Sequence, residues 1–421
     1  MKRRVVISGI GPVTASGIGR QSFWQGMLEN RTCIKPIPSR FEKNYRFKSR
    51  YYVPMPEFSL AEYGVPHRLI KLMGDPAIIS VLCAHLALQD AGLAALSDDL
   101  PERTTGLEES GVIIGIGIGS LQSSYSSYLA HLGIQADDSR NQKKSQFDRM
   151  IIPMVMPNSA AAWVAILFGM HGTDYTLNAA CASGTYAIGE AYQKVAEGLC
   201  PLILAGGVEA LKEEHGAIMR GFDVLSTLTS AEDGVPMPFS EKRSGFLFSE
   251  GGGCLLVLEE LEHALARGAD IYAEIVGYES NCDARHIVLP EQSGQWIRQL
   301  LAKLIGNRKI DYFNSHGTAT VVNDAIEARI LQELFGPNSR QPTINASKGI
   351  LGHSIGASGA LEAAVTALSI KSGIVHGNFI PDPIADLNLA TGKKAVAIDF
   401  AVSTSYGFGG HNGALLMRRY E

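Results

Sequence analysis

The chain is short of several things. Its six cysteines, at positions 33, 83, 181, 200, 254 and 282, lie far apart among 421 residues, and no two form a CxxC pair. That spacing excludes a disulfide framework and a zinc ribbon and fits reduced thiols in a cytoplasmic protein. No uninterrupted apolar run approaches the ~20 residues of a membrane span, so no membrane association is expected. Positive charge is not in excess: the net charge of -5 argues against a nucleic-acid partner. The start superficially resembles a signal peptide, with Lys2, Arg3 and Arg4 before VVISGIG. Gly9, Gly11 and Pro12 break that run early, so a first β-strand is expected instead. Gly9 and Gly11 also lack the third glycine, and the acidic residue about 20 positions on, of a dinucleotide-binding loop.

What is present is ample apolar material, 46% of residues, enough for two or three domains or one fused pair. Strands and helices alternate, which predicts an α/β fold. A strand is expected at 4–9, leading into a Gly/Pro/Ser loop, and helices at 22–29 and 69–92. A buried strand follows at 111–119, then a surface excursion at 121–150 and an apolar helix at 154–168. Further strands are read at 201–206, 254–259, 273–278 and 395–406, with a long loop at 212–250 and helices at 295–305, 325–334 and 360–370. Residues 41–52, FEKNYRFKSRYY, interleave Lys43, Arg46, Lys48 and Arg50 with aromatics. This is either a solvated loop or a contact for an acidic partner.

The chain is organised around residues 176–191, TLNAACASGTYAIGEA. An extended start crosses a small-residue elbow near Cys181 and becomes a helix from Ser183, with Ile188, Ala191 and Val195 on one face. Free N–H groups at a helix start favour a thiolate, the nucleophilic form of cysteine. A buried structural cysteine would read the same way, so the downstream residues decide. A weak echo lies at 343–363, TINASKGILGHSIGASGALEA, and strands ending in glycine open both halves. This predicts an internal duplication joined near residue 260, with halves 1–260 and 261–421 and one active site between them. His316 (in NSHGTAT) and His353 (in KGILGHSIG) sit in glycine-rich turns rather than on apolar helix faces. A Cys/His/His zinc site is the rival reading; the spacings match no familiar ligand pattern, and no metal is expected.

These residues give the sequence its resemblance. ACASG (180–184) is followed by HGTAT (316–320) with Asn323, Asp324 and Glu327, then Lys348 and GHSIGA (352–357) with Glu362, and finally GFGG (407–410) with Asn412. In that order they resemble the elongating β-ketoacyl-acyl-carrier-protein synthases of type II fatty-acid and polyketide synthesis, over nearly the whole chain. The resemblance implies the thiolase-like fold, an internally duplicated five-layered αβαβα arrangement, normally dimeric. It makes Cys181 the nucleophile that accepts the acyl chain. His316 and His353 are the pair that assists malonyl decarboxylation, two N–H donors on a thioester oxygen, and Lys348 supports that network. Asp324 and Glu327 belong to the same support, with Glu362 beneath the second histidine. Thr318 and Thr320 hydrogen-bond the pantetheine arm. The N–H groups of Cys181 and Phe408 form the oxyanion hole beside Gly409, with Phe408 as gate, and Ile118 and Phe222 line the acyl pocket.

By the same resemblance no resident cofactor is needed, because 4'-phosphopantetheine arrives on the acyl carrier protein. That acidic partner is expected at Arg68 and Lys71. The chain is expected as a homodimer or as a heterodimer with a chain-length-factor-like subunit. Initiating synthases carry histidine and asparagine, thiolases a second cysteine, and chain-length factors no nucleophile; this chain keeps Cys, His, His and Lys. Ser240, Ser244 and His411 depart from the family pattern, and 282–308 is shorter. The departures point to a polyketide or polyene pathway, with housekeeping fatty-acid elongation as the alternative. A mainly structural, tunnel-shaping subunit is the rival of another class, and the intact Cys181 argues against it.

Overall fold

A computed structural model describes residues 2–93, 106–133 and 148–421. Ten strands form one continuous path. In the first half these are β1 (Val5–Thr14), β2 (Gly111–Gly115), β3 (Asp174–Leu177), β4 (Leu202–Ala210) and β5 (Gly251–Glu260). In the second they are β6 (Ala273–Cys282), β7 (Tyr312–Asn314), β8 (Thr343–Asn345), β9 (Phe400–Gly407) and β10 (His411–Arg418). The spatial order is β3-β2-β4-β5-β1 and then, mirrored, β6-β10-β9-β7-β8. Strand directions repeat as well. β2 runs parallel to β3 and β4 while β5 is antiparallel to its neighbours, and β7, β8, β9 and β10 follow the same rule. The halves join where Val5–Ile7 pairs antiparallel with Ala273–Ile275.

Side chains alternate across each strand, so each half-sheet has two apolar faces. Ile113, Ile203, Leu415 and Met417 face a central cluster with helices α3 (Ser183–Ala196) and α6 (Ser358–Ser372). Val112, Ile114, Leu202 and Leu204 face outward onto α1 (Asp75–Asp90) and α2 (Ser159–Phe168). Phe313, Ala414 and Leu416 face outward onto α4 (Gln295–Ile305) and α5 (Val321–Phe335). The result is five layers, helix-sheet-helix-sheet-helix. The central helices cross in near contact. A Cβ on Gly184 would lie 2.7 Å from the Ala360 nitrogen, and one on Gly359 would lie 2.3 Å from Thr185 Oγ1. Glycine at both positions lets the two helix starts approach.

Several expected boundaries shift for physical reasons. β1 runs on through Gly9, Gly11 and Pro12 instead of ending in a loop. Those glycines admit α1, since a Cβ on Gly11 would sit 2.0 Å from the Cys83 carbonyl oxygen. The helix expected at 69–92 starts only at Asp75, after Gly74, with Pro76 in its first turn. That expected at 154–168 is two helices, Ile151–Val155 and Ser159–Phe168, because Pro157 holds Met156 extended at ψ 124°. The strand at 111–119 stops at Gly115. The expected loop at 212–250 contains the helix Ala217–Val224, and the expected excursion at 121–150 opens with the helix Leu121–His131. Residues 134–147 of that excursion lie outside the described residues.

Candidate active site

β3 ends at Leu177 and the chain turns sharply into α3. Ala180 takes a left-handed φ of 50°, unusual for a residue with a Cβ and held by its surroundings. Asn178 Oδ1 accepts the Ala180 N–H at 2.9 Å. Ser183 Oγ accepts the Ala179 N–H at 2.9 Å and donates to the Ala180 carbonyl at 2.7 Å. This leaves Cys181 at the apex, buried, facing the other half.

The second half builds the same turn. Ile355 has φ 43°, a short 3-10 turn covers Ile355–Ala357, and α6 starts at Ser358. Ser358 Oγ accepts the Ser354 N–H at 3.1 Å and lies 2.9 Å from His353 Nδ1. His353 Nε2 then reaches Cys181 Sγ at 3.2 Å. The Phe246 ring stands edge-on to this imidazole, with centroids 4.9 Å apart.

His316 follows β7, with its ring centroid 5.8 Å from that of His353. Glu327, on α5, accepts the N–H groups of His316 at 2.8 Å and Gly317 at 2.9 Å, which fixes the turn. Lys348 Nζ has three partners: the His316 carbonyl at 2.8 Å, His316 Nδ1 at 3.2 Å, and the Glu362 carboxylate. An ammonium has three hydrogens and no acceptor, so His316 Nδ1 accepts and its proton sits on Nε2.

Electrostatics follow from burial. Burial, and then Lys348, push both imidazoles well below 6.5, so they are neutral N–H donors. Burial pushes the Cys181 thiol up to about 11, against the pull of Lys348 and of the Phe408 and Cys181 N–H groups. A helix start favours the thiolate, but here desolvation outweighs Lys348 and these N–H groups and favours the thiol. Burial raises Asp324 to about 6 and Glu327 to about 7. It also raises Glu362, against the attraction of Lys348.

Cys181, His316 and His353 open on one cavity of about 260 Å³, lined also by Phe222, Thr318 and Phe408. The profile of the β-ketoacyl synthase N-terminal domain matches residues 2–264, and that of the C-terminal domain matches 272–379. The chain belongs to the β-ketoacyl synthase family. As a β-ketoacyl synthase it is an acyl-transferring enzyme with the thiolase-like fold. The 3-oxoacyl-[acyl-carrier-protein] synthase 2 of Synechocystis sp. is 33% identical, covering 100% of this chain and 99% of the relative. The solved ishigamide ketosynthase/chain length factor aligns with TM-score 0.85 at 27% identity, covering both chains fully. So does a type II PKS acyl-carrier protein in complex with its ketosynthase bound to the hexaketide, at TM-score 0.85 and 26% identity.

Within this synthase the expected residues divide. Phe222, Thr318, Thr320 and Phe408 line the cavity, and the two threonine hydroxyls lie 2.9 Å apart. Ile118 does not line it. Glu209 takes the N–H groups of Gly117, Ile118 and Gly119, and the Ile118 side chain is 39% exposed. Gly409 is a turn residue at φ 83° whose N–H donates to the Ile287 carbonyl. Glu362 sits beneath Lys348 and the first histidine, not the second, because α6 carries it past His353. Asp324 holds the Phe239 N–H at 2.8 Å, away from the histidines. Arg68 is exposed on the helix His67–Ile70, whose Leu69 and Ile70 pack on the outer cluster rather than on the cavity. Sequence reasoning missed Ser358, which orients His353. It also missed Glu209, fully buried, which accepts Gly356 as well and ties the loop after β2 to the second elbow. An acid inside the apolar run LILAGGVEA was the available signal.

Among the described residues no helix is long and apolar enough to cross a membrane, and no cluster could hold a metal ion.

Proposed function

We propose that the chain performs decarboxylative Claisen condensation on carrier-bound thioesters, giving a 3-oxoacyl thioester and CO2. The observation that carries this is the 3.2 Å approach of His353 Nε2 to Cys181 Sγ in a cavity shared with a second neutral imidazole. In the first step Cys181 Sγ attacks the acyl thioester carbonyl and its proton passes to His353 Nε2. The new C–S bond replaces the old one, and the proton leaves with the pantetheine thiol. The Ser358 hydroxyl suits both imidazole tautomers, since it can accept from Nδ1–H or donate to Nδ1. In the second step malonyl thioester loses CO2, and the enolate oxygen is held by N–H donors from His316 and His353. The enolate carbon attacks the acyl-Cys181 carbonyl, the C–S bond breaks, and the sulfur leaves as a thiolate that takes a proton from water. Residues 1–260 supply the nucleophile and 261–421 the histidines and lysine. Phosphopantetheine comes on the acyl carrier protein as substrate, so no resident cofactor is needed.

The carrier protein is the partner suggested by the structural relative that binds one. Pairing with a second copy, or with a chain-length-factor-like subunit, is supported by the open edge of β3 and by exposed Ile166 on α2, the helix packed against that strand. A polyketide or polyene pathway is favoured by Ser240, Ser244 and His411, and the relative from Synechocystis favours fatty-acid elongation instead. The test is intact-protein mass spectrometry after incubation with acyl-carrier protein, then addition of malonyl-carrier protein. An acyl adduct on Cys181 that disappears as 3-oxoacyl product forms is expected. Absence of any adduct would leave the structural-subunit reading standing.

A further inference from the structure

His376 is fully buried and takes no part in the chemistry above. It lies just past the end of α6, in the segment His376-Gly377-Asn378. Its Nδ1 is 2.9 Å from the Gly377 carbonyl, which only accepts, so Nδ1 carries the hydrogen and Nε2 is an acceptor. Burial, against the pull of that carbonyl, pushes the imidazole down to about 4, so it stays neutral. Nε2 takes the Ser347 hydroxyl at 3.3 Å. The His376 carbonyl takes Asn345 Nδ2 at 3.4 Å, and Asn378 Oδ1 takes the Ala346 N–H at 2.9 Å. Asn378 is itself fixed, since its Nδ2 donates to the Ala390 carbonyl at 3.1 Å. His376 and Asn378 thus grip Asn345, Ala346 and Ser347, the run that leads directly into Lys348. Ser347 passes the grip on. Its Oγ accepts Asn314 Nδ2 at 3.2 Å, and Asn314 stands just before Ser315 and His316.

We propose that His376 and Asn378 are positioning residues for the decarboxylation step, acting through Ser347 and Ala346 on Lys348 and through Asn314 on His316. The proposal deepens the condensation reading and rests on it for the step assigned to His316. Lys348 has a flexible four-carbon stem. Its ammonium must nevertheless reach the His316 carbonyl, His316 Nδ1 and the Glu362 carboxylate together. That fit holds only if the turn carrying its Cα is fixed, and small misplacements of a supporting group cost rate steeply. His353 does not share this dependence. Its N–H donates to the Leu247 carbonyl at 2.8 Å, and its ring leans on Ser358. Acyl transfer through Cys181 and His353 is therefore spared when the grip on Lys348 is loosened.

The experiment uses the full chain with malonyl-carrier protein and with acyl-carrier protein. His376→Phe keeps a ring in place and removes the acceptor. It should lower kcat for CO2 release about five- to tenfold, the kinetic equivalent of one hydrogen bond, and leave both KM and acyl transfer to Cys181 within about twofold. His376→Gln, which returns an acceptor near the Nε2 position, should recover most of that rate. Asn378→Ala, which frees the Ala346 N–H, should repeat the selective loss by a second route and stands in if His376→Phe does not fold. A further readout needs no turnover. In magnetic resonance of isotope-labelled histidine, the His316 ring should report Nε2–H with Nδ1 accepting from Lys348. His376→Phe should shift those signals and leave those of His353 in place. Equal loss of both reactions, an unchanged rate in the folded variants, or His376→Gln no better than His376→Phe would overturn the positioning role. A wild-type chain that releases no CO2 sinks the condensation reading. The His316 signals then decide the positioning role by themselves: it stands if they move in His376→Phe and falls if they do not.

Discussion

In the first half Ala180 takes φ 50°, Cys181 follows, and α3 starts at Ser183; in the second half Ile355 takes φ 43°, Gly356 follows, and α6 starts at Ser358. Counting back from those serines sets Asn178 against His353. Asn178 serves its own turn, accepting from Ala180 and donating to the Gly117 carbonyl at 2.7 Å. His353 reaches across to the other elbow's sulfur. β3 leads directly into the first elbow. Between β8 and the second elbow lies an extra turn of helix, Lys348–Leu351, carrying the lysine that orients His316. One backbone used twice thus brings a thiol from one copy against an imidazole from the other. The glycines at 184 and 359 let the copies meet.

Removing the lysine should cost most. Lys348→Met takes the donor from His316 Nδ1 and leaves Glu362 buried without its partner. CO2 release should fall on the order of 10²–10³, and stability by about 3–5 kcal/mol in urea unfolding. Adding Glu362→Gln should recover much of the stability and none of the rate. Recovery of the rate as well would reduce Lys348 to a packing role.

The two elbows also differ in protonation. Burial sets Cys181 near 11 against an ordinary thiol at 9.0. The thiolate is the form that alkylates, and a raised pKa makes it scarce at neutral pH. Iodoacetamide labelling of Cys181, read by peptide mass, should rise about tenfold per pH unit from 7 to 10 without a plateau. The exposed Cys282 serves as an internal comparison. A plateau for Cys181 below pH 9 would mean that the helix-start field beats desolvation.

Glu209 links the loop after β2 to the second elbow through four backbone N–H groups, at Gly117, Ile118, Gly119 and Gly356. Glu209→Ala leaves buried donors unsatisfied and should cost at least about 1–3 kcal/mol. A urea midpoint shift no larger than that of a surface Glu→Ala control would show that the link is dispensable. The smallest effect should separate the matching serines. Ser183→Ala should cost about 1 kcal/mol of stability and leave the rate of acyl transfer to Cys181 nearly intact. Ser358→Ala should cost similar stability and slow acyl transfer about two- to tenfold, the kinetic equivalent of one hydrogen bond. Equal kinetic effects would erase the distinction between the elbows.

The elbow at Cys181, the echo near 353 and the glycine-turn histidines were legible because each leaves a local mark: small residues at a strand end, then helical periodicity. The five-layer fold was legible through those marks and the family pattern they make. Desolvation of Cys181 was not, since it depends on Phe222, Phe246 and Phe248 arriving from a distant segment. The assignment of Glu362 to Lys348 instead of His353 turns on how α6 crosses α3, which spacing does not encode. β1 was read as ending in a loop because Gly9 and Gly11 look the same whether they make a turn or admit a helix.

The division between the copies is tested most directly by measuring acyl transfer to the protein and CO2 release from malonyl-carrier protein on the same three variants. Cys181→Ala should lose acyl transfer and still release CO2, because the N–H donors of His316 and His353 remain. His316→Ala should keep acyl transfer and lose CO2 release by on the order of 10²–10³. His353→Ala should lose both, since the buried thiol then has no proton acceptor at 3.2 Å. Loss of CO2 release in Cys181→Ala, with full release in His316→Ala, would contradict the assignment of acyl transfer to the Cys181–His353 pair and of decarboxylation to the two histidines.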